Sequence, residues 1–108
     1  MFNDIIEING KLEWTPYQTD TTVDISDLDY NELLLEINTE IGSSSIRTNF
    51  YTIKPQLPDT AKTFILGFYN NSSDNLKIQI GVSKTQATLY QNYYAGTARN
   101  GAITVFYR

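Results

Sequence analysis

The chain has no histidine and no cysteine among its 108 residues. Histidine is the commonest general base and metal ligand at neutral pH, and cysteine supplies both the thiol nucleophile and the disulfide. The serine runs therefore have no histidine to activate them, and neither a nucleophile-elbow motif nor a phosphate-binding glycine loop is present. We predict a binding protein with no enzymatic activity, no catalytic residues, no cofactor and no metal.

Positive charge is also scarce. Eight Lys and Arg residues are outnumbered by twelve Asp and Glu residues, which leaves a net charge of −4. Nucleic acids and anionic membranes are bound through clustered basic side chains, whereas these eight are scattered along the chain, so we expect neither partner. A chain of this length with 41% hydrophobic residues suits one folded domain over residues 1–108. Residues 1–6 contain no basic and apolar leader that would predict export.

What the chain does contain is alternation of apolar and polar residues with a period of two, which is typical of strands with one buried face. The clearest case is the segment 75–83, where alternate positions are Leu76, Ile78, Ile80 and Val82. A tight turn at 83–86 predicts a hairpin that sets Val82 beside Ala87 and Ile80 beside Leu89.

Other strand-like segments are separated by Gly, Asn, Ser and Pro residues. They are residues 5–8, 11–14, 32–37, 45–53, 63–69, 87–94 and 102–107. Asn9-Gly10 and Asn100-Gly101 suit the turns that precede such strands, and the two prolines in 54–60 predict a loop. Only residues 27–34 allow a turn of helix. We predict an all-β fold, an antiparallel, jelly-roll-like β-sandwich of seven or eight short strands.

A set of aromatic and amide side chains is the candidate ligand site. Alternation places Thr88, Tyr90, Asn92 and Tyr94 on one side of a strand, opposite its core side. Aromatic rings pack against sugar faces, and amides and Arg hydrogen-bond to hydroxyls, so this mixture is typical of saccharide sites. The predicted ligand-binding residues are Tyr69, Asn70, Tyr90, Asn92, Tyr94, Arg99 and Asn100. Tyrosine is also an ordinary strand residue, and Tyr and Arg are also enriched at subunit interfaces.

An acidic group in the first third of the chain invites comparison with a calcium loop. Its members are Asp20, Asp24, Asp27, Asp29 and Glu32. Their spacing lacks the glycine and the terminal glutamate of an EF-hand loop, and Asp residues commonly cap turns. We therefore expect a solvated turn here.

One segment carries a resemblance to a known family. Residues 24–37 read Asp-Ile-Ser-Asp-Leu-Asp-Tyr-Asn-Glu-Leu-Leu-Leu-Glu-Ile. A short polar turn that leads in this way into a core strand resembles the head domains of bacteriophage tail-fibre and baseplate receptor-binding proteins. The segments 75–80 and 101–108 are similar to the penultimate and final strands of such heads, so that the likeness spans residues 20–108.

The resemblance implies a homotrimeric β-sandwich in the tail or baseplate of a virion, made in the host cytoplasm. Such a protein would contact other virion proteins and bind a host cell-surface polysaccharide during adsorption. The chain lacks the shaft that usually trimerises these proteins. Two alternatives stay open at this point: a non-viral carbohydrate-binding module, and an architectural virion protein whose aromatic face is a subunit interface.

Overall fold

The structure is a computed structural model that describes residues 14–41, 44–70, 75–94, 97–98 and 100–108. For residues 41, 44, 68–70, 75–76, 91–94 and 97–98 it describes the backbone alone. The predicted hairpin at Asn9-Gly10 and the predicted site residue Arg99 lie outside the described residues. Within the described ranges no helix is long and apolar enough to cross a membrane.

The described residues form nine strands in two antiparallel sheets, which confirms the predicted β-sandwich. In chain order the strands are β1 Thr15–Asp20, β2 Thr22–Asp24, β3 Glu32–Ile41, β4 Ser44–Ile53, β5 Lys62–Asn70, β6 Asn75–Val82, β7 Gln86–Tyr94, β8 Thr97–Ala98 and β9 Gly101–Tyr107. The first sheet has the order β1-β9-β3-β4. The second has the order β2-β7-β6-β5, and the short β8 pairs with the far end of β7.

At one edge of the sandwich the chain passes directly from the first sheet into the second. β1 pairs with β9 in the first sheet, and β2, which begins after a bend at Thr21, pairs with β7 in the second. The Thr21 carbonyl accepts a hydrogen bond from the Leu89 amide at 2.8 Å, so the crossing residue itself is bonded to the second sheet. Pro16 is tolerated in β1 because an edge strand leaves half of its amides unpaired.

The core follows the predicted alternation. Three leucine and isoleucine side chains of β3, Leu33, Leu35 and Ile37, are fully buried and face the second sheet. From β6, Ile78, Ile80 and Val82 are at most 1% exposed. Burying each such side chain contributes roughly 1.5–3 kcal/mol. The hairpin register is as predicted, with Val82 opposite Ala87 and Ile80 opposite Leu89.

The helical turn that the sequence allowed in residues 27–34 is wrong. The chain makes a turn at Ser26 and Asp27 and is already in β3 from Glu32 onward. Buried Leu33 and Leu35 alternate with partly exposed Leu34, which is the period of a strand, and packing against the opposite sheet overrides the helix propensity of leucine. The predicted loop contains one turn of 3-10 helix, Lys54–Gln56.

Candidate functional site

The structure does not place the predicted ligand residues on one face. Tyr90 lies on β7 with 52% of its surface exposed, and its ring covers Gly81 on the outer side of the second sheet. Beyond it the register shifts, because Gln79 pairs with Gln91 while Ile80 pairs with Leu89. Tyr90 is therefore the extra residue of a β-bulge, and the bulge reverses the phase of everything that follows it.

This bulge corrects the predicted row Thr88, Tyr90, Asn92 and Tyr94. Thr88 pairs with Gly81, an outward position, whereas Asn92 pairs with Ile78, a core position of β6. Since directly paired residues of antiparallel strands share a face, the strand positions of Asn92 and Tyr94 are out of phase with that of Thr88. The two-residue alternation could not reveal the extra residue.

The remaining predicted residues are also separated. Tyr69 and Asn70 lie at the end of β5, where they pair with Leu76 and Asn75. Asn100 instead precedes β9 of the first sheet, where its side-chain amide donates a hydrogen bond to the Glu40 carboxylate at 3.2 Å. Asn100 is therefore hydrogen-bonded to the first sheet, whereas Tyr90 belongs to the second.

A different aromatic cluster lies on the outer face of the first sheet, and we call it the aromatic platform. It consists of Trp14, Glu32, Tyr51 and Arg108. The ladder places Tyr51 of β4 beside Leu34 of β3, and Leu34 beside Phe106 of β9. These positions alternate with the buried residues of the same strands, so they point away from the core.

The aromatic platform is held together by short polar and ring contacts. The Arg108 guanidinium lies over the Trp14 ring, 4.1 Å from its centroid. The Tyr51 ring meets the Trp14 ring edge-on, with centroids 6.1 Å apart. The Tyr51 hydroxyl donates to Glu32 Oε1 at 2.6 Å, and Arg108 Nε donates to the same oxygen at 3.2 Å. Tyr51 is thereby fixed in one orientation although 53% of it is exposed.

The hydrogen bonds of the aromatic platform shift two pKa values in opposite directions. The Tyr51 hydroxyl, and after it Arg108, lower the pKa of Glu32, because both donate to its charged form. The same Glu32 carboxylate raises the pKa of Tyr51, because it holds the phenolic proton and opposes a second negative charge. At neutral pH the platform therefore contains a carboxylate and a protonated phenol.

Beyond the aromatic platform the same outer face becomes polar. The next ladder row contains Thr104, Glu36 and Asn49, and Glu36 is paired with Arg47 at 3.8 Å. At the far end a shallow pocket of about 250 Å³ opens between β3 and β9. Its lining residues are Asn38, Glu40, Asn100, Gly101 and Ala102. One continuous face thus carries an aromatic end, a charged but paired middle and an amide-carboxylate end.

In the acidic group near β2, Asp24 caps the turn at Ser26 and Asp27, whereas Glu32 lies in β3 and belongs to the aromatic platform. Asp24 Oδ1 accepts hydrogen bonds from the Ser26 amide at 2.9 Å and from the Ser26 hydroxyl at 2.6 Å. The Ser26 hydroxyl and amide lower the pKa of Asp24. Within the described part of the chain no three Asp or Glu residues are grouped in a way that could hold a metal ion.

Sequence reasoning missed the aromatic platform, although part of its signal was present. Arg47, Asn49 and Tyr51 recur at period two in the segment 45–53, which is the mark of a solvent-facing row that combines ring, amide and guanidinium groups. The contacts of Trp14 with Tyr51 and Arg108 join positions far apart in sequence, so no local pattern could reveal them.

The groups on this face can form hydrogen bonds and ring-stacking contacts with a ligand. Glu32 and Glu40 accept hydrogen bonds from neighbouring side chains, and Glu36 forms an ion pair with Arg47. Comparisons of the chain with protein-family models, with curated proteins and with solved structures found no match.

Proposed function

We propose that this protein is a non-enzymatic saccharide-binding protein whose ligand packs on the aromatic platform. The observation that carries the proposal is the exposed Tyr51 ring, held in place by Trp14 and by the hydrogen bond to Glu32. A ring that is already ordered loses little conformational entropy on binding, which makes it an effective anchor for a ligand.

The surroundings of Tyr51 suit a sugar better than an apolar ligand. A sugar presents C–H groups on its faces and hydroxyls around its rim, so it needs an aromatic ring with polar groups beside it. Glu32 and Arg108 supply an acceptor and donors within one hydrogen-bond network next to the ring. Bidentate donors and acceptors of this kind are suited to neighbouring hydroxyl pairs.

The biological setting that we propose is adsorption of a bacteriophage to a host cell-surface polysaccharide. It rests on the resemblance of residues 20–108 to receptor-binding head domains, together with the β-sandwich fold. The turn at Ser26 and Asp27 that precedes the core strand β3 supports the proposal. A homotrimer in the tail or baseplate is part of the same proposal.

The test compares two tyrosines of nearly equal exposure on opposite faces. Tyr51 is 53% exposed on the first sheet, and Tyr90 is 52% exposed on the second. On an array of bacterial polysaccharides we expect Tyr51→Ala to weaken binding by about tenfold or more, a loss typical of an interface anchor. Tyr90→Ala should retain binding.

Three outcomes would overturn the proposal. The first is that the wild-type protein binds no polysaccharide on the array. The second is that Tyr90→Ala abolishes binding while Tyr51→Ala retains it, which would move the site to the second sheet. The third is that Tyr51→Ala changes the mass measured by light scattering without changing binding, which would make the aromatic platform a subunit interface.

A further inference from the structure

We infer that the ligand is an extended, uncharged polysaccharide chain that lies along β3, from the aromatic platform to the pocket beside Asn100. The inference rests on the proposed saccharide function and adds the length, the direction and the charge class of the ligand. It depends on three features of the outer face of the first sheet: its span, its charge pairing and the polar groups at its far end.

The span sets the number of sugar units. Along β3 the outward positions run from Leu34, which is paired with Tyr51, to Glu40, which is bonded to Asn100. Six residues of strand rise roughly 20 Å, which matches about four sugar units of roughly 5 Å each. A row of outward side chains along one strand complements an extended chain better than a coiled one.

The charges on this face exclude acidic chains. Three carboxylates point outward from β3, those of Glu32, Glu36 and Glu40. Each already has a partner on the protein: Arg108 and Arg47 form ion pairs with Glu32 and Glu36, and Asn100 donates a hydrogen bond to Glu40. With three described carboxylates and two described guanidinium groups the face is slightly negative, and the whole chain carries −4. A polyanion would be repelled, whereas hydroxyls can share the paired groups.

The far end offers a second contact for the chain. The pocket between β3 and β9 is lined by Asn38, Glu40 and Asn100, all exposed, with Ala102 at its side. The Glu40 amide also donates to the Asn100 carbonyl at 3.0 Å, so the loop before β9 is fixed against the strand. An amide and a carboxylate held in this way can bind the hydroxyls of a terminal sugar.

The experiment measures affinity against chain length and charge. Calorimetry is run with the disaccharide and the tetrasaccharide of four neutral β-1,4-linked chains, of glucose, N-acetylglucosamine, mannose and xylose. The β-1,4-linked mannuronate tetrasaccharide is the acidic counterpart of the mannose chain, since the two differ in the C6 carboxylate. Asn100→Ala removes the far contact, and Gln56→Ala, at an exposed amide on the 3-10 helix, is the matched control.

We expect at least one neutral tetrasaccharide to bind about tenfold more tightly than its disaccharide. Asn100→Ala should remove that gain and leave disaccharide affinity unchanged, while Gln56→Ala should change neither. If disaccharide and tetrasaccharide bind with equal affinity, and Tyr51→Ala weakens both, the ligand is not an extended chain along β3. The proposed saccharide function would then still hold. If the mannuronate tetrasaccharide binds as tightly as the mannose tetrasaccharide, the inference that the ligand is uncharged is overturned. Failure of all four neutral chains would overturn the inference as a whole, and array binding would then decide the proposed function separately.

Discussion

The ring of Tyr90 lies over Gly81 on the neighbouring strand, so closely that a β-carbon added to the glycine would overlap three atoms of the phenol. The aromatic side chain covers a position that would otherwise expose bare backbone, and Gly81 is buried as a result. This pairing of aromatic residue and glycine across strands stabilises a sheet at a point where glycine alone would weaken it.

Gly81→Ala should therefore be destabilising by up to about 1 kcal/mol, because the new methyl group displaces the exposed Tyr90 ring and removes its cross-strand contact. Gly67→Ala is the matched control, since its β-carbon would meet Ile78 Cδ1 at 3.7 Å, an ordinary contact distance. Urea denaturation measures both. The penalty at Gly81 should shrink when Tyr90→Ala is introduced as well, and an unchanged penalty in the double variant would contradict the overlap as its cause.

Ile80→Asp should abolish folding, whereas Gln79→Asp should cost well under about 1 kcal/mol. Ile80 is fully buried between the sheets, so its replacement leaves a carboxylate without water or partner. Gln79 points to the other side of β6 and is partly exposed. Circular dichroism and thermal melting compare the two variants, and similar melting temperatures would mean that the register of β6 differs from the one described.

The contribution of the aromatic platform to stability should depend on pH at both extremes. Folding lowers the pKa of Glu32 from 4.5. The contribution of Glu32 to folding stability is therefore complete above pH 4.5 and is lost as the pH falls through the pKa of the folded state. The pKa of folded Tyr51 is raised from 10.0, so its contribution is complete below 10.0 and is lost as the pH rises through the folded value.

Glu32→Gln removes the carboxylate from this network, so the difference in unfolding free energy between wild type and variant should be largest at neutral pH and shrink in acid. Urea denaturation at a series of pH values measures it. In absorbance titrations of the phenols, Glu32→Gln should lower one tyrosine pKa, and the same change made in a Tyr51→Phe background should leave the titration unaltered. A difference in stability that stays constant with pH would count against the network.

Chelation should leave the protein unchanged. With no histidine or cysteine in the sequence, and no metal-holding acidic group in the described part, we expect EDTA to alter neither the melting temperature nor saccharide binding. Incubation with a bound polysaccharide should release no reducing ends. Release of reducing ends by a purified preparation, lost in a variant such as Glu40→Gln, would show that the protein is an enzyme.

Local alternation was enough to predict the fold class and the β6-β7 hairpin, because burial of Ile78, Ile80 and Val82 constrains the register of one strand by itself. The prediction from alternation failed where a β-bulge adds one residue to a strand, because the bulge leaves no mark in the types of residue around it. Tyr90 in β7 and Leu66 in β5 are each the extra residue opposite the middle of β6. The predicted row through Tyr90 assumed unbroken alternation, which the bulge interrupts. The aromatic platform was missed because Trp14 meets Tyr51 and Arg108 from a distant part of the sequence.

The direct passage of β1 into β2 makes the two edges of the sandwich separate in different ways. At that edge only the bend at Thr21 lies between the strands, so the sheets cannot separate there without breaking the β1-β9 or the β2-β7 ladder. At the other edge β4 and β5 are joined by the longer segment 54–61, and the rings of Phe50 and Phe64 pack with centroids 4.8 Å apart. Opening should proceed as a hinge, and amide hydrogens of β4 and β5 should exchange with solvent before those of β7 and β9.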